Sequence, residues 1–155
     1  EHVLGINPLT GLPVSNQVLL ERRPLAVKIQ LFPRSGRPPY GVSLADAVYH
    51  YYQNAGITRL HAIFYGNDAE KVMPIRSARL FDAQLIWMYK SIFAFGGADS
   101  RIYERLVNTD FGDRLILEVE RHHVLLQPRH YEVLQVYAFF GGVSRPLVEY
   151  PRDAF

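Results

Sequence analysis

The sequence predicts an α/β fold: a mixed β-sheet with an antiparallel hairpin, a βαβ-type second half, and helices packed on the sheet. Three observations lead there. Short apolar runs such as "PLAVKIQL" and "SIFAFGG" have the length and β-branching of buried strands. Stretches such as "SARLFDAQLIWMYK" and "ADSRIYERLVN" carry helical spacing behind capping residues. In the second half of the chain the two kinds of segment alternate, which is the signature of a layered sheet. At 155 residues, 48% hydrophobic and 21% charged, the chain can bury one core and is not a disordered segment.

Residues 1–23, centred on "NPLTGLP", carry turn chemistry without a sustained period and read as an extended arm; residues 24–155 read as the single domain behind it. Pro24–Leu31 is a buried strand by its apolar content and by Val27 and Ile29. "FPRSGRPPYG" breaks it, with Pro33, Pro38 and Pro39 forming a loop that carries Arg34 and Arg37. The segment from 43 to 54 fits two readings. Ser43 and Asp46 could open a helix that Gly56 closes. Alternatively a short helical turn at 43–46 leads into a hairpin, which "VYHYYQ" and the alternating "ITRLHAIFY" favour. A two-residue Ala55-Gly56 turn then sets Asn54 opposite Ile57, His50 opposite His61 and Tyr52 opposite Arg59.

Further on, Ser77 is placed to cap a helix whose apolar stripe is Leu80, Ala83, Leu85, Ile86 and Tyr89. "SIFAFGG" is a strand ending in a glycine pair, and Asp99 or Ser100 caps the helix that follows. "DRLILEVE" reads as a strand, and "PRHYEVLQVYAFF" as a last helix stopped by Gly141 and Gly142. "FAFGGADSR" and "AFFGGVSR" echo one another, either as a duplicated unit or by coincidence.

Composition removes several functions. A net charge of +2, evenly scattered, lacks the basic stripe of a nucleic-acid binder. The absence of cysteine excludes disulfides, thiolate catalysis and cysteine-ligated zinc. No apolar run reaches the length of a membrane span, and no signal-peptide pattern opens the chain. Glu1 in place of an initiator methionine suggests a piece of something longer. The sequence has no GxSxG elbow, P-loop lysine, HExxH or dinucleotide fingerprint, and no cofactor or metal is expected.

What remains is "PIRSAR". Arg76 and Arg79, three apart at the expected start of a helix, are unfavourable beside the positive end of its dipole and call for a compensating anion. One reading is an arginine fork for a carboxylate or phosphate, completed by the backbone of Gly96 and Gly97 and the helix start at Asp99. The other is a structural network in which both arginines pair with Asp46, Asp68, Glu70 or Asp82. Ser77 between the two arginines has the setting of an activated hydroxyl but no base placed by sequence.

Five stretches occur in a characteristic order: "NPLTGLP", "RRPLAVKI", "RPPYGVSLADAVY", "GITRLHAIF" and "EKVMPIRSAR". Through them, over roughly residues 5–100, the chain resembles the N-terminal domain of the YerB-like bacterial lipoproteins. The resemblance implies a lipid-anchored cysteine upstream, a second domain downstream, an extracytoplasmic envelope location, and membrane contact only through that anchor. It also implies a polar set at Asp46, Thr58, Arg59, Arg76, Ser77 and Arg79, with Gly96 and Gly97 as the glycine turn. This chain departs from the pattern at "YHYYQNAG", where His50 and Asn54 stand in place of two glutamates, and again from Glu120 onward. The functional expectation is a binding module with an arginine-centred site for an anionic or cell-wall ligand or an envelope protein. Its rivals are a cell-wall hydrolase using Asp46, His50 or Asp99, and a purely structural domain contacting a missing second domain.

Overall fold

The computed structural model describes residues 5–117, and the backbone of residues 135–140 and 143–148. The strands are β1 (Leu25–Gln30), β2 (Ala47–Asn54), β3 (Ile57–Phe64), β4 (Lys71–Val72), β5 (Ile92–Phe95), β6 (Leu115–Leu117), β7 (Gln135–Phe140) and β8 (Val143–Val148). Two α-helices, α1 (Leu80–Tyr89) and α2 (Ser100–Val107), flank β5 in sequence. A five-stranded mixed sheet has the order β2-β3-β1-β5-β6, antiparallel across β2, β3 and β1 and parallel across β1, β5 and β6. A smaller sheet has the order β4-β7-β8. This is the predicted α/β architecture, with the hairpin at one edge and β5-α2-β6 as the βαβ half.

β1 is central, and every one of its residues is buried. One face carries Leu25, Val27 and Ile29, which pack with Leu60, Ala62, Phe64, Val72 and Ile75. The other carries Ala26, packed with Ile63, Phe93, Phe95, Ile86 and Leu106 under the helices. By strand alternation Lys28 and Gln30 lie on that second face. A lysine in such a place needs a partner.

The hairpin forms behind a 3-10 turn at Val42–Leu44, with Ala55 and Gly56 both at positive φ as a type I′ turn requires. A register shift between Tyr52 and Asn54 changes the predicted pairing, however: Tyr49 lies opposite His61, Tyr51 opposite Arg59 and His50 opposite Leu60. His50 and His61 therefore occupy opposite faces, and the expected cross-strand histidine pair does not exist. One extra residue in one strand moves every later side chain along by one.

Three other expectations are corrected. "PIRSAR" is extended rather than helical, so Arg76 is not on a first turn, and the residue at the N-cap of α1 is Arg79 rather than Ser77. Of the expected stripe on α1, Leu85 and Ile86 are buried but Leu80 is exposed. The end of the supposed last helix, Gln135–Phe140, is strand β7, since "QVYAFF" is rich in strand formers (Val136, Tyr137, Phe139, Phe140) and finds partners in β4 and β8; residues 128–134 lie outside the described residues. The two echoing stretches accordingly differ where they are described: Phe95 ends β5 ahead of α2, and Phe140 ends β7, while Gly141 and Gly142 lie outside the described residues. The N-terminal arm is tied down through buried Asn7 and Val14 and a 3-10 turn at Gln17–Glu21.

Candidate functional site

β1 and β5 run side by side as far as the Val27–Ala94 pair and then part. The segment Pro74–Ala78 fills the gap. Gln30 N donates to Pro74 O at 2.9 Å and Arg76 N to Lys28 O at 3.0 Å; on the other side Gly96 N donates to Arg76 O at 2.9 Å and Ala78 N to Gly97 O at 2.7 Å. Gly97 has φ +120°, a conformation open to glycine and strained for other residues, which is why the turn carries glycine there. "PIRSAR" and "FGG" are thus laced together beyond the carboxyl ends of two parallel strands, where α/β sheets gather ligands.

This lacing decides where the arginines go. Ile75 bridges to Ile29 and is buried in the first core, so alternation sends Arg76 to the helix-bearing face, the face of Arg59 and Gln30. Arg59 is 5% exposed and donates from Nη1 to Ser77 O at 2.6 Å. Arg79 donates from Nη1 to Ala78 O at 2.7 Å. Burial, aided by the charges of Arg79 and Arg76, pushes the Arg59 guanidinium down to about 10. Arg79 is also lowered, first by burial and then by Arg76 against the opposing pull of Asp82 and Asp99. Three cations repel one another at the N-terminus of α1.

The carboxylates expected to pair with them make their ion pairs and hydrogen bonds with other groups. Asp46 accepts from Asn7 Nδ2 at 2.7 Å, from the amides of Tyr65 and Gly66 at 2.5 and 3.0 Å, and from Asn67 Nδ2 at 2.8 Å. Asp68 is held by Arg22 at 2.5 Å. The Asp82 carboxylate accepts from the Arg79 backbone amide at 2.6 Å and draws on the Arg79 guanidinium without forming an ion pair with it. Among the described residues no carboxylate forms an ion pair with Arg59, Arg76 or Arg79. The structural-network reading thereby loses its proposed partners.

Of the sequence-predicted site, Arg59, Arg76, Ser77, Arg79, Gly96 and Gly97 come together, with Asp99 close enough to Arg79 to be felt electrostatically. Ser77 contributes its carbonyl, and Asp99 caps α2 by accepting from Arg101 N at 3.1 Å. Asp46 does not belong. It binds the backbone just past the end of β3, about 20 Å along the strand from Arg59 at roughly 3.3 Å per residue. Thr58 lies beside Arg59 on β3. The trio Asp46, His50 and Asp99 is not assembled either, because His50 lies on the sheet face turned away from the helices.

A second cluster, unforeseen, sits beneath the arginines. Fully buried Lys28 donates to Asp82 Oδ1 at 2.8 Å, His61 Nδ1 meets the same oxygen at 2.8 Å, and Tyr51 Oη donates to it at 3.1 Å. The Lys28 ammonium also lies 4.0 Å from the Tyr51 ring centre, and His61 stacks on Phe93 at 5.0 Å. Burial draws Lys28 down to about 8 in spite of Asp82. Burial likewise lowers His61, whereas for Asp82 the upward push of burial is outweighed by His61 and Lys28, which hold the carboxyl below its usual range. Asp82 is therefore an anion serving Lys28, neutral His61 and the Arg79 amide. Lys28, His61 and Asp82 are all sealed from solvent, so the cluster positions α1 and Arg79 rather than meeting a substrate. The signal for it was Lys28 inside the apolar run "LAVKIQL". Among the described residues no group of three or more His, Cys, Asp or Glu is arranged to hold a metal ion.

Residues 9–128 match the family model described as "Protein of unknown function (DUF3048) N-terminal domain". The chain belongs to this family. Over 90 residues this DUF3048 domain is 42% identical to "Putative lipoprotein YerB" of Bacillus subtilis, a stretch that is 58% of this chain and 27% of that protein. The crystal structure of Bacillus subtilis YerB superposes with a TM-score of 0.66 at 32% identity, covering 76% of this chain and 39% of that one. The DUF3048 domain therefore spans well under half the length of these relatives. The resemblance read from "NPLTGLP" through "EKVMPIRSAR" is borne out. Among the described residues no helix is long and apolar enough to cross a membrane.

Proposed function

We propose that this domain is a binding module that presents Arg59, Arg76 and Arg79 to an anionic group of a cell-envelope polymer. The observation that carries the reading is three guanidinium groups gathered at the start of α1 with no paired carboxylate among the described residues. Like charges so placed repel, and an anion binding there relieves that repulsion while gaining forked hydrogen bonds. The name of the Bacillus relative, a lipoprotein, supports an extracytoplasmic, lipid-anchored setting for the whole protein. The domain's part is recognition: Asp82 and His61, the acid and the histidine beneath the arginines, are sealed from solvent.

The test is co-sedimentation of the purified domain with insoluble cell-wall material. Wild type should pellet, and a folded Arg76→Ala/Arg79→Ala variant should stay in solution. Equal behaviour of the two would remove the arginines from binding. A second reading, contact with a further domain, draws on α1, which exposes Leu80, Phe81, Trp87 (67%) and Met88. Trp87 is the single tryptophan, so a fluorescence shift on adding the remainder of the full-length protein would report that contact.

A further inference from the structure

Where β1 ends, a cavity of about 20 Å³ is lined by Gln30, Thr58, Arg59 and Arg76, with Leu31 and Phe32 among its walls. We infer that this cavity is a carboxylate pocket, receiving the terminal carboxylate of a ligand arm whose remainder lies outside. This deepens the anion-binding reading above and rests on it.

Four observations lead to the assignment. Gln30 is only 4% exposed and, among the described residues, its amide makes no side-chain hydrogen bond, which leaves it free to meet whatever enters the cavity it lines. Its Nε2 faces the loop that closes over the strand end, since a Cβ added at Gly36 would lie 3.9 Å from it. Beside it Arg59 is held rigid by its bond to Ser77 O, and Arg76, half-buried, has no side-chain partner among the described residues. Two cations and an amide donor therefore line one cavity with donor capacity to spare.

Size selects the ligand. A cavity needs roughly 10–15 Å³ for each water-sized occupant, so this one holds one or two oxygens. A planar carboxylate can seat both of its oxygens there, whereas a tetrahedral phosphate leaves at least two of its four outside the cavity. Phe32, 51% exposed, offers an apolar surface beside the pocket for the carbon attached to the carboxylate.

The experiment titrates the domain with N-acetyl-dialanine bearing a free carboxylate, with its C-terminal amide, and with inorganic phosphate. It follows the Gln30 side-chain amide and the Arg76 Nε–H signals by ¹H–¹⁵N NMR. The expected result is saturable shifts with the free acid only, weakened at least tenfold in Gln30→Leu, which keeps the size of the side chain. Shifts with the amide probe, equal or tighter binding of phosphate, or no shift at either group would each overturn the pocket. The two readings separate cleanly. If the double arginine variant loses cell-wall retention but no probe moves Gln30, the broader reading stands and the carboxylate pocket falls; if the acid moves Gln30 while retention ignores the arginines, the reverse holds.

Discussion

Asp82 ties together more of the molecule than any other side chain in the site, binding Lys28, His61, Tyr51 and the Arg79 amide at once. Removing one member of a buried ion pair strands the other, which costs about 3–5 kcal/mol, whereas removing both is far milder. Asp82→Asn should therefore lose about that much stability by urea unfolding, and Lys28→Met/Asp82→Asn should recover a large part of it. A double variant as unstable as the single one would mean that Lys28 is not what Asp82 neutralises. His61 provides a pH test. Its folded-state pKa is lowered by burial, so below its ordinary value near 6.5 the unfolded chain takes up a proton that the folded one refuses. Stability should fall as pH drops below about 6.5, and His61→Asn should flatten that slope relative to wild type across pH 7 to 5. Asp82, lowered in the folded state, adds a later loss when pH falls below the ordinary carboxylate range.

At the scale of elements, the hairpin shows how far periodicity reaches. Alternation in "ITRLHAIFY" identifies β3 and its two faces, and the Ala55-Gly56 turn fixes Asn54 opposite Ile57. The shift beyond Asn54 has no mark in composition, and it exchanges His50 for Tyr49 opposite His61. Asp46, just before β2, looked like a site acid, but its oxygens hold the Tyr65–Asn67 backbone and Asn7. Asp46→Ala should cost about 2–4 kcal/mol, since charge-assisted hydrogen bonds contribute about 1.5–3 kcal/mol each and not all are lost outright. Amide exchange at Gly66 and Asn67 should speed up, while cell-wall retention of the folded variant stays at the wild-type level. Lost retention in the folded variant would return Asp46 to the site.

Over the whole molecule the net charge is only +2, so attraction to an anionic polymer must come from a local cluster rather than the overall field. Raising salt from about 0.1 M to about 1 M shortens the screening length from about 10 Å to about 3 Å. Retention on wall material should decline steeply over that range, and the residual retention should equal that of Arg76→Ala/Arg79→Ala. Salt-independent retention would point instead to apolar contact, with the exposed face of α1 the place to look.

The sequence by itself determined the α/β class, β1, β5, both helices and the arginine pair, and favoured the hairpin over a helix at 43–54, because each rests on local rules: strand and helix periodicity, capping, turn chemistry. It also carried the family through ordered short motifs. Tertiary structure alone decided the rest. "QVYAFF" is strand rather than helix because β4 and β8 supply partners that a single segment does not reveal. "PIRSAR" is extended because the parting of β1 and β5 leaves backbone groups for it to satisfy. Asp82 belongs to Lys28, 54 residues away, because a buried ammonium must find an anion wherever the fold can bring one.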